Sequence, residues 1–263
     1  LPVSQIDVTP FLGYIEPMPP ALNSLYQKSF PNFSLNAPDQ LRTRLAWSLS
    51  QFIVVSDRKT NPEALLYWAN MLQKYGEGNY AELLYQVSVS PAMGHFLDNQ
   101  QNRPKSAECN HCAPNENYAR EFLELFTIGK GPQIGPGDYT YYTEDDVAAG
   151  AKILTAYVVT GIRSDSLTQV EVSFNPILHD NSSKQLSYHF NGQIINANDA
   201  QEYSDFIDVI FNQSQVATFI CSKLYRYFVN YDLNAFVMSD IIPSMALTLT
   251  SNNYEILPVL HQL

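Results

Sequence analysis

The residues best suited to chemistry lie in one stretch, "PNENYAREFLELFTIGKG" at 114–131, and one short loop, "LHDNSSK" at 178–184. In the first, Glu116, Arg120 and Glu124 recur at i, i+4 and i+8, a spacing that on a helix lets Arg120 reach both carboxylates. On a wheel of about 100° per residue, Glu116, Asn117, Arg120, Glu121 and Glu124 share one arc with Thr127 and Ile128. Tyr118, Ala119, Phe122, Leu123, Leu125 and Phe126 take the opposite arc. Three carboxylates beside one guanidinium can hold a cation or move a proton. In the loop, His179 and Asp180 precede a Ser-rich turn and Lys184. Where loop and helix meet, Glu121, Glu124 and His179 make a ligand set for one divalent ion such as zinc, manganese or iron. Alternatively His179 serves as a general base near neutral pH. The plainer alternatives are an amphipathic helix with a solvated face, whose ion pairs contribute only some tenths of a kcal/mol each, and a turn with its histidine in water.

The remaining candidates carry less. His95 and His189 each flank a phenylalanine and read as core-edge histidines. "TEDD" at 143–146 is an acidic helix start that suits the macrodipole, with Thr143 and Asp146 at capping-box spacing. Cys109 and Cys112 form a C-x-x-C around His111; a zinc site of four protein ligands would need a second such pair, and haem attachment would need histidine where Ala113 stands. A thioredoxin-like reading would need a preceding strand. The pair reads as a local disulfide or two idle thiols, and Cys221 as a buried free thiol. Phosphate-binding glycine loops and the G-x-S-x-G elbow are missing, so neither a nucleotide cofactor nor α/β-hydrolase chemistry is expected.

The elements that must position these residues are mostly helices. Residues 1–38 are Pro-rich and read as an extended arm with one short helix near 21–28; residues 39–263 read as a single α-helical domain. Helical periodicity marks segments at 39–55 with Asp39 as cap, at 61–76 with Asn61 as cap, and at 79–90, with a short one from Pro91. Leu41, Leu45, Leu49 and Phe52 form one stripe, widened by Trp47 and Ile53. The charged helix occupies 115–129 and stops at Gly129; another runs from Thr143 through "TAYVVTG", and three more fill about 198–212, 214–229 and 233–250. Only 167–196 is β-like: "LTQVEVSF" alternates and "QLSYHFNGQII" can pair with it as one small ribbon. The fold class is therefore mainly α, a multi-helix, bundle-like domain.

Composition narrows the partners. The 263 residues are 45% hydrophobic but only 16% charged, with net charge −11 and 17 tyrosines. Such an acidic chain without Lys/Arg clusters does not suit nucleic acid. No apolar run is long enough for a membrane span.

The string "NENYAREFLELFTIG" resembles the signature of a large bacterial family catalogued as domain of unknown function 1800. Stretches at 41–57, 79–102, 142–161, 179–184 and 216–229 are similar to it in the same order, so the resemblance spans roughly 41–230. It implies a mostly helical, exported bacterial protein, in the periplasm, on the outer membrane or secreted, of which this chain is an interior portion. It also implies an exported partner of sulfatase-like fold. Its pattern marks Asn115, Glu116, Asn117, Arg120, Glu121 and Glu124, and also His179, Asp180 and Lys184. Residues 158–162, "VVTGI", depart from it, and the Cys109–Cys112 pair is no part of it.

Two functions follow as expectations. One is a binding or scaffold component of an envelope assembly, with a protein or glycan partner and the helix charges as a structural network. The other is a metal-assisted or acid–base hydrolase. In it Glu116, Glu121, Glu124, His179 and Asp180 carry the chemistry, Arg120 holds an anion or orients the carboxylates, and Asn115, Asn117 and Lys184 bind substrate.

Overall fold

The structure is a computed structural model that describes residues 4–8, 20–161 and 171–263. Helices dominate these residues: α1 (Pro20–Asn36), α2 (Gln40–Ser50), α3 (Pro62–Tyr75), α4 (Tyr80–Ser88) and α5 (Pro91–Phe96) come first. The caps are local chemistry. Asn61, Asn79 and Ser90 each accept from the backbone N–H three residues on, and Pro62 and Pro91 fill the first helical position. Asp39 precedes α2 but makes no side-chain cap; its carboxylate takes Ser4 N–H and Arg42 instead.

The N-terminal segment is only partly an arm. Within 4–8, Ile6 is buried, and its N–H and C=O both pair with the Asn70 side chain at 2.6 and 2.8 Å. Residues 1–3 and 9–19 lie outside the described residues. From Pro20 the chain is helical through Asn36, longer than the short helix expected at 21–28, and passes straight through Pro31. An interior proline costs about 3 kcal/mol. Packing of Phe30 and Phe33 against Ile6, Leu66 and Ala69 offsets that.

The charged segment becomes α6 (Asn117–Glu121) and runs on into a π-helical turn at Phe122–Thr127. After a hairpin of β1 (Gln133–Gly135) and β2 (Asp138–Tyr139) comes α7 (Glu144–Ile153). The helix expected to run to Gly161 stops there. β-Branched residues take over in β3 (Tyr157–Thr160), which pairs antiparallel with β4 (Glu171–Phe174). This corrects the expected ribbon. Of "LTQVEVSF", residues 167–170 lie outside the described residues; the rest pairs backward onto 157–160. The later segment closes on itself as β5 (Lys184–Gln185) and β6 (Ile194–Ile195). The chain ends in α8 (Gln201–Phe211), α9 (Ser214–Phe228), a π turn at Val237–Ile241, α10 (Ile242–Ser251) and α11 (Ile256–Leu260).

One core joins these elements. Tyr80, Tyr118, Phe122, Phe126, Tyr203 and Phe206 are fully buried at its centre, bringing α4, α6 and α8 together. The tyrosine hydroxyls are satisfied inside it: Tyr80 donates to Phe126 O, and Tyr118 and Tyr203 meet at Ser88 Oγ. Leu45, Leu49 and Ile53 of the expected stripe are buried, whereas Leu41 and Trp47 are about half exposed. Cys221 is buried as expected, and burial pushes its thiol up to about 12.

Candidate functional site

The predicted residues resolve into two polar groups held by the two ends of α7. The first surrounds α6. Its backbone departs from a regular helix because Ile128 and Gly129 N–H both donate to Leu123 O, while Thr127 Oγ1 returns to Phe122 O at 2.7 Å. This wider turn lets Phe122, Leu123, Phe126, Thr127 and Ile128 all reach the core. Thr127 and Ile128, placed on the polar arc by a regular wheel, are thus fully buried. Gly129 ends the turn at φ +77°, where a Cβ would press on the Phe219 ring.

The π turn also changes the ion pairs. Arg120 does not bridge Glu116 and Glu124. It reaches Glu116 at 3.0 Å and grips Glu144, the first residue of α7, with both guanidinium ends at 2.9 and 2.7 Å. Hydrogen bonds from Arg120, reinforced by Tyr139, hold Glu144 below the usual carboxylate range. Glu124 turns the other way, accepting from the buried Tyr142 hydroxyl and from Lys130 at 2.9 Å. Lys130 lies over the Tyr139 ring, 4.4 Å from its centre. Glu121 stands between, half-buried, and its acid range is raised first by burial and then by Glu124. The side chains of Asn115 and Asn117 are held by local structure. Asn115 N–H donates to Asn102, its side chain caps Asn117 N–H, and Asn117 reaches Asp98 at 3.3 Å. Glu116 is about half exposed.

The second group is buried where α7 ends. Thr155 Oγ1 donates to Lys152 O and accepts from Asp180 N–H at 2.9 Å. His179 Nδ1 lies 2.9 Å from the same Oγ1 and 3.3 Å from Thr155 O. Because the hydroxyl proton is already committed, Nδ1 is the donor there. His179 Nε2 lies 3.1 Å from Glu202 Oε1, off the line of a good hydrogen bond. Both ring nitrogens thus face oxygen atoms of neighbouring residues. Lys184 Nζ meets Glu202 Oε2 at 2.5 Å and also Asp180 O, and Asn198 N–H donates to Glu202 Oε1. The side chains of His179, Lys184 and Glu202 have no exposure at all. Burial alone would raise Asp180, but hydrogen bonds from Ser182 and the Lys184 charge leave it below its ordinary range.

Glu202 is the member that sequence reading missed. Its position shows the clue: Glu202, Phe206 and Val209 stand at i, i+4 and i+7 on the buried face of α8, so an acid occupies an apolar stripe. A buried carboxylate needs a cation, and Lys184 supplies it.

Between the groups runs α7, ten residues and roughly 15 Å long. It is fastened to both neighbours. Thr143 and Asp146 form the full capping box, and Asp146 also takes the N–H and hydroxyl of Ser187 at 2.7 Å each. His189 pairs with Asp138 at 2.9 Å rather than merely edging the core. The helix charges and the His179 group therefore do not form one site. Glu121, Glu124 and His179 do not converge as metal ligands: among the described residues the one such trio is Cys109, His111 and Cys112. Cavities open elsewhere. One of about 570 Å³ lies between α1, α2 and α3, lined by Phe30, Trp47 and Trp68, and another of about 770 Å³ lies beside Ile6 and Tyr67. None of the predicted site residues lines either.

A protein-family model described as "Protein of unknown function (DUF1800)" matches residues 22–263. No curated protein and no solved structure matches the chain.

Proposed function

The chain belongs to the DUF1800 family, which covers nearly all of it, and from that premise we propose that it is a binding or scaffold component of an exported bacterial envelope assembly. One observation carries this reading: most of the polar residues expected to do chemistry, Glu121 excepted, are already occupied by neighbouring side chains. Arg120 is spent on Glu144 and Glu116, Glu124 on Tyr142 and Lys130, and the His179–Glu202–Lys184 group is closed to solvent. Such networks fasten helices and loops together. The Cys109–Cys112 disulfide suits an oxidising compartment outside the cytoplasm. Large apolar side chains stand exposed through 227–247, including Tyr231, Phe236 and Leu247, and suit a protein partner, such as an exported protein of sulfatase-like fold.

The test is native complex size. Epitope-tagged chain is extracted from the envelope of the source bacterium under mild detergent, and its mass is read by size exclusion with light scattering. A complex above the monomer mass, lost in Phe236→Asp/Leu247→Asp while circular dichroism is unchanged, supports the proposal. A monomer that hydrolyses fluorogenic ester, phosphate or glycoside substrates overturns it.

A second reading rests on Glu121, a half-buried acid whose range is raised by burial first and by the Glu124 charge second, as suits a group that gives up a proton near neutral pH. In that reading the chain is an acid–base hydrolase, with or without a divalent metal, and Glu121→Gln abolishes turnover in the same substrate panel.

A further inference from the structure

The loop around Cys109 and Cys112 brings together more than a disulfide. Ser106 and Cys109 exchange backbone hydrogen bonds at 3.1 and 3.2 Å, and Cys112 N–H returns to Cys109 O, so the loop closes tightly. Ser106 Oγ adds a second bond to Cys109 N–H. Within this turn the His111 ring folds back until its Nε2 lies 3.5 Å from Cys109 Sγ. From outside, Arg103 Nε donates to Cys112 Sγ at 3.1 Å. Cys109 is buried, Cys112 partly so, and His111 is exposed. The two sulfurs and the imidazole nitrogen lie within 4.8 Å of one another.

We propose that the reduced form of this loop binds one thiophilic divalent metal ion, of which zinc is the type, through Cys109, His111 and Cys112. The disulfide is then the metal-free, oxidised state of the same site.

The geometry supports three protein ligands. A tetrahedral ion with metal–sulfur bonds of about 2.3 Å and metal–nitrogen bonds of about 2.05 Å sets sulfur and nitrogen about 3.6 Å apart and the two sulfurs about 3.8 Å apart. The first separation is already present between Cys109 and His111. The second needs only that the sulfurs part, and C-x-x-C is the spacing of metal-binding knuckles. His111 supplies the ligand that a missing second cysteine pair would otherwise have to provide. Three ligands leave the fourth tetrahedral position to water or an incoming donor. The Arg103 N–H···S bond adds an outer partner that steadies the Cys112 thiolate.

The chemistry balances in two steps. A dithiol reductant supplies two electrons: its thiolate attacks Cys112 Sγ, the more accessible sulfur, and the sulfur–sulfur bond breaks with Cys109 as leaving thiolate. The reductant's second thiol then releases Cys112 and leaves as the oxidised disulfide. Binding of the divalent ion to the two free thiols next expels two protons to solvent.

The test uses the whole chain with Zn²⁺ and Co²⁺ as probes. One sample is reduced with a phosphine under nitrogen, the other kept oxidised, and each is titrated with Zn²⁺ against a chromogenic chelator. The reduced protein is expected to take up one Zn²⁺ per chain, at least about a hundredfold more tightly than the oxidised protein, and Co²⁺ to give a sulfur-to-cobalt charge-transfer band in the near ultraviolet. Cys109→Ser leaves one thiolate and cuts that band by at least about half. His111→Ala changes an exposed side chain, so its fold is secure; it weakens zinc binding by at least about tenfold. Equal zinc affinity of reduced and oxidised wild type overturns the proposal. So does a His111→Ala variant that binds zinc as tightly as wild type.

Discussion

The two ends of α7 hold charges in opposite ways. At its start, Glu144 joins Arg120, Glu116 and Tyr139 in a network that water still reaches. At its end, Thr155 closes a group in which His179, Lys184 and Glu202 are sealed from solvent. An exposed ion pair contributes about 0–1 kcal/mol, because water competes for both charges. A sealed charge costs several kcal/mol unless a partner and further hydrogen bonds meet it, so removing one partner is far more damaging than the net worth of the pair. The same residue types are therefore adjustable fastenings at one end and obligatory ones at the other.

The largest effect is expected at the sealed end. Glu202→Ala removes the carboxylate that Lys184 meets at 2.5 Å, leaving that sealed charge only the more distant Asp180 carboxylate at 3.9 Å, and destabilises the fold by about 3–5 kcal/mol in urea unfolding. Glu202→Leu combined with Lys184→Met recovers most of that loss. A double variant as unstable as Glu202→Ala would show that the charges do more than satisfy each other.

Glu63 sharpens the contrast, because it is a buried acid with both oxygens unpartnered. Burial raises it from 4.5 to about 7. A folded-state value above the unfolded one favours the fold below pH 4.5, and that advantage is lost as pH rises through about 7. Glu63→Gln should therefore gain about 2 kcal/mol over wild type at pH 8, with little gain at pH 4. Thermal unfolding at both values checks the sign, and an equal effect at the two pH values would reject it.

The smallest effects belong to the open end. Arg120→Ala is expected to cost about 1 kcal/mol, reduced in 1 M salt, because its bidentate grip on Glu144 is only partly shielded. Lys130→Ala should cost a few tenths. A loss above about 3 kcal/mol at Arg120 would erase the difference between the two ends.

Local chemistry was readable without coordinates. The caps at Asn61 and Thr143 depend on residues three apart, so their spacing is enough, whereas Asp39, read the same way, makes no side-chain cap. The apolar arc of 118–126 was equally plain, and Tyr118, Phe122 and Phe126 are fully buried. The π turn was not, because a wheel assumes one fixed rotation per residue. One wider turn buried Thr127 and Ile128 and left Glu124 with Tyr142 and Lys130 instead of Arg120. Strand pairing failed for a related reason: the alternation of 171–174 shows a strand but not its partner, which proved to be 157–160.

Residue types and spacing along the chain thus settled the family, the helical class, the start of most helices and which segments carry charge. They settled these because caps, apolar periodicity and signature strings act over a few residues. Only the tertiary structure decided that Arg120 belongs to Glu144, that His179 and Lys184 share Glu202, and that the two groups stand a helix length apart. Those pairings join residues 18–24 positions apart, and burial, not spacing, sets which charges must meet and which can stay in water.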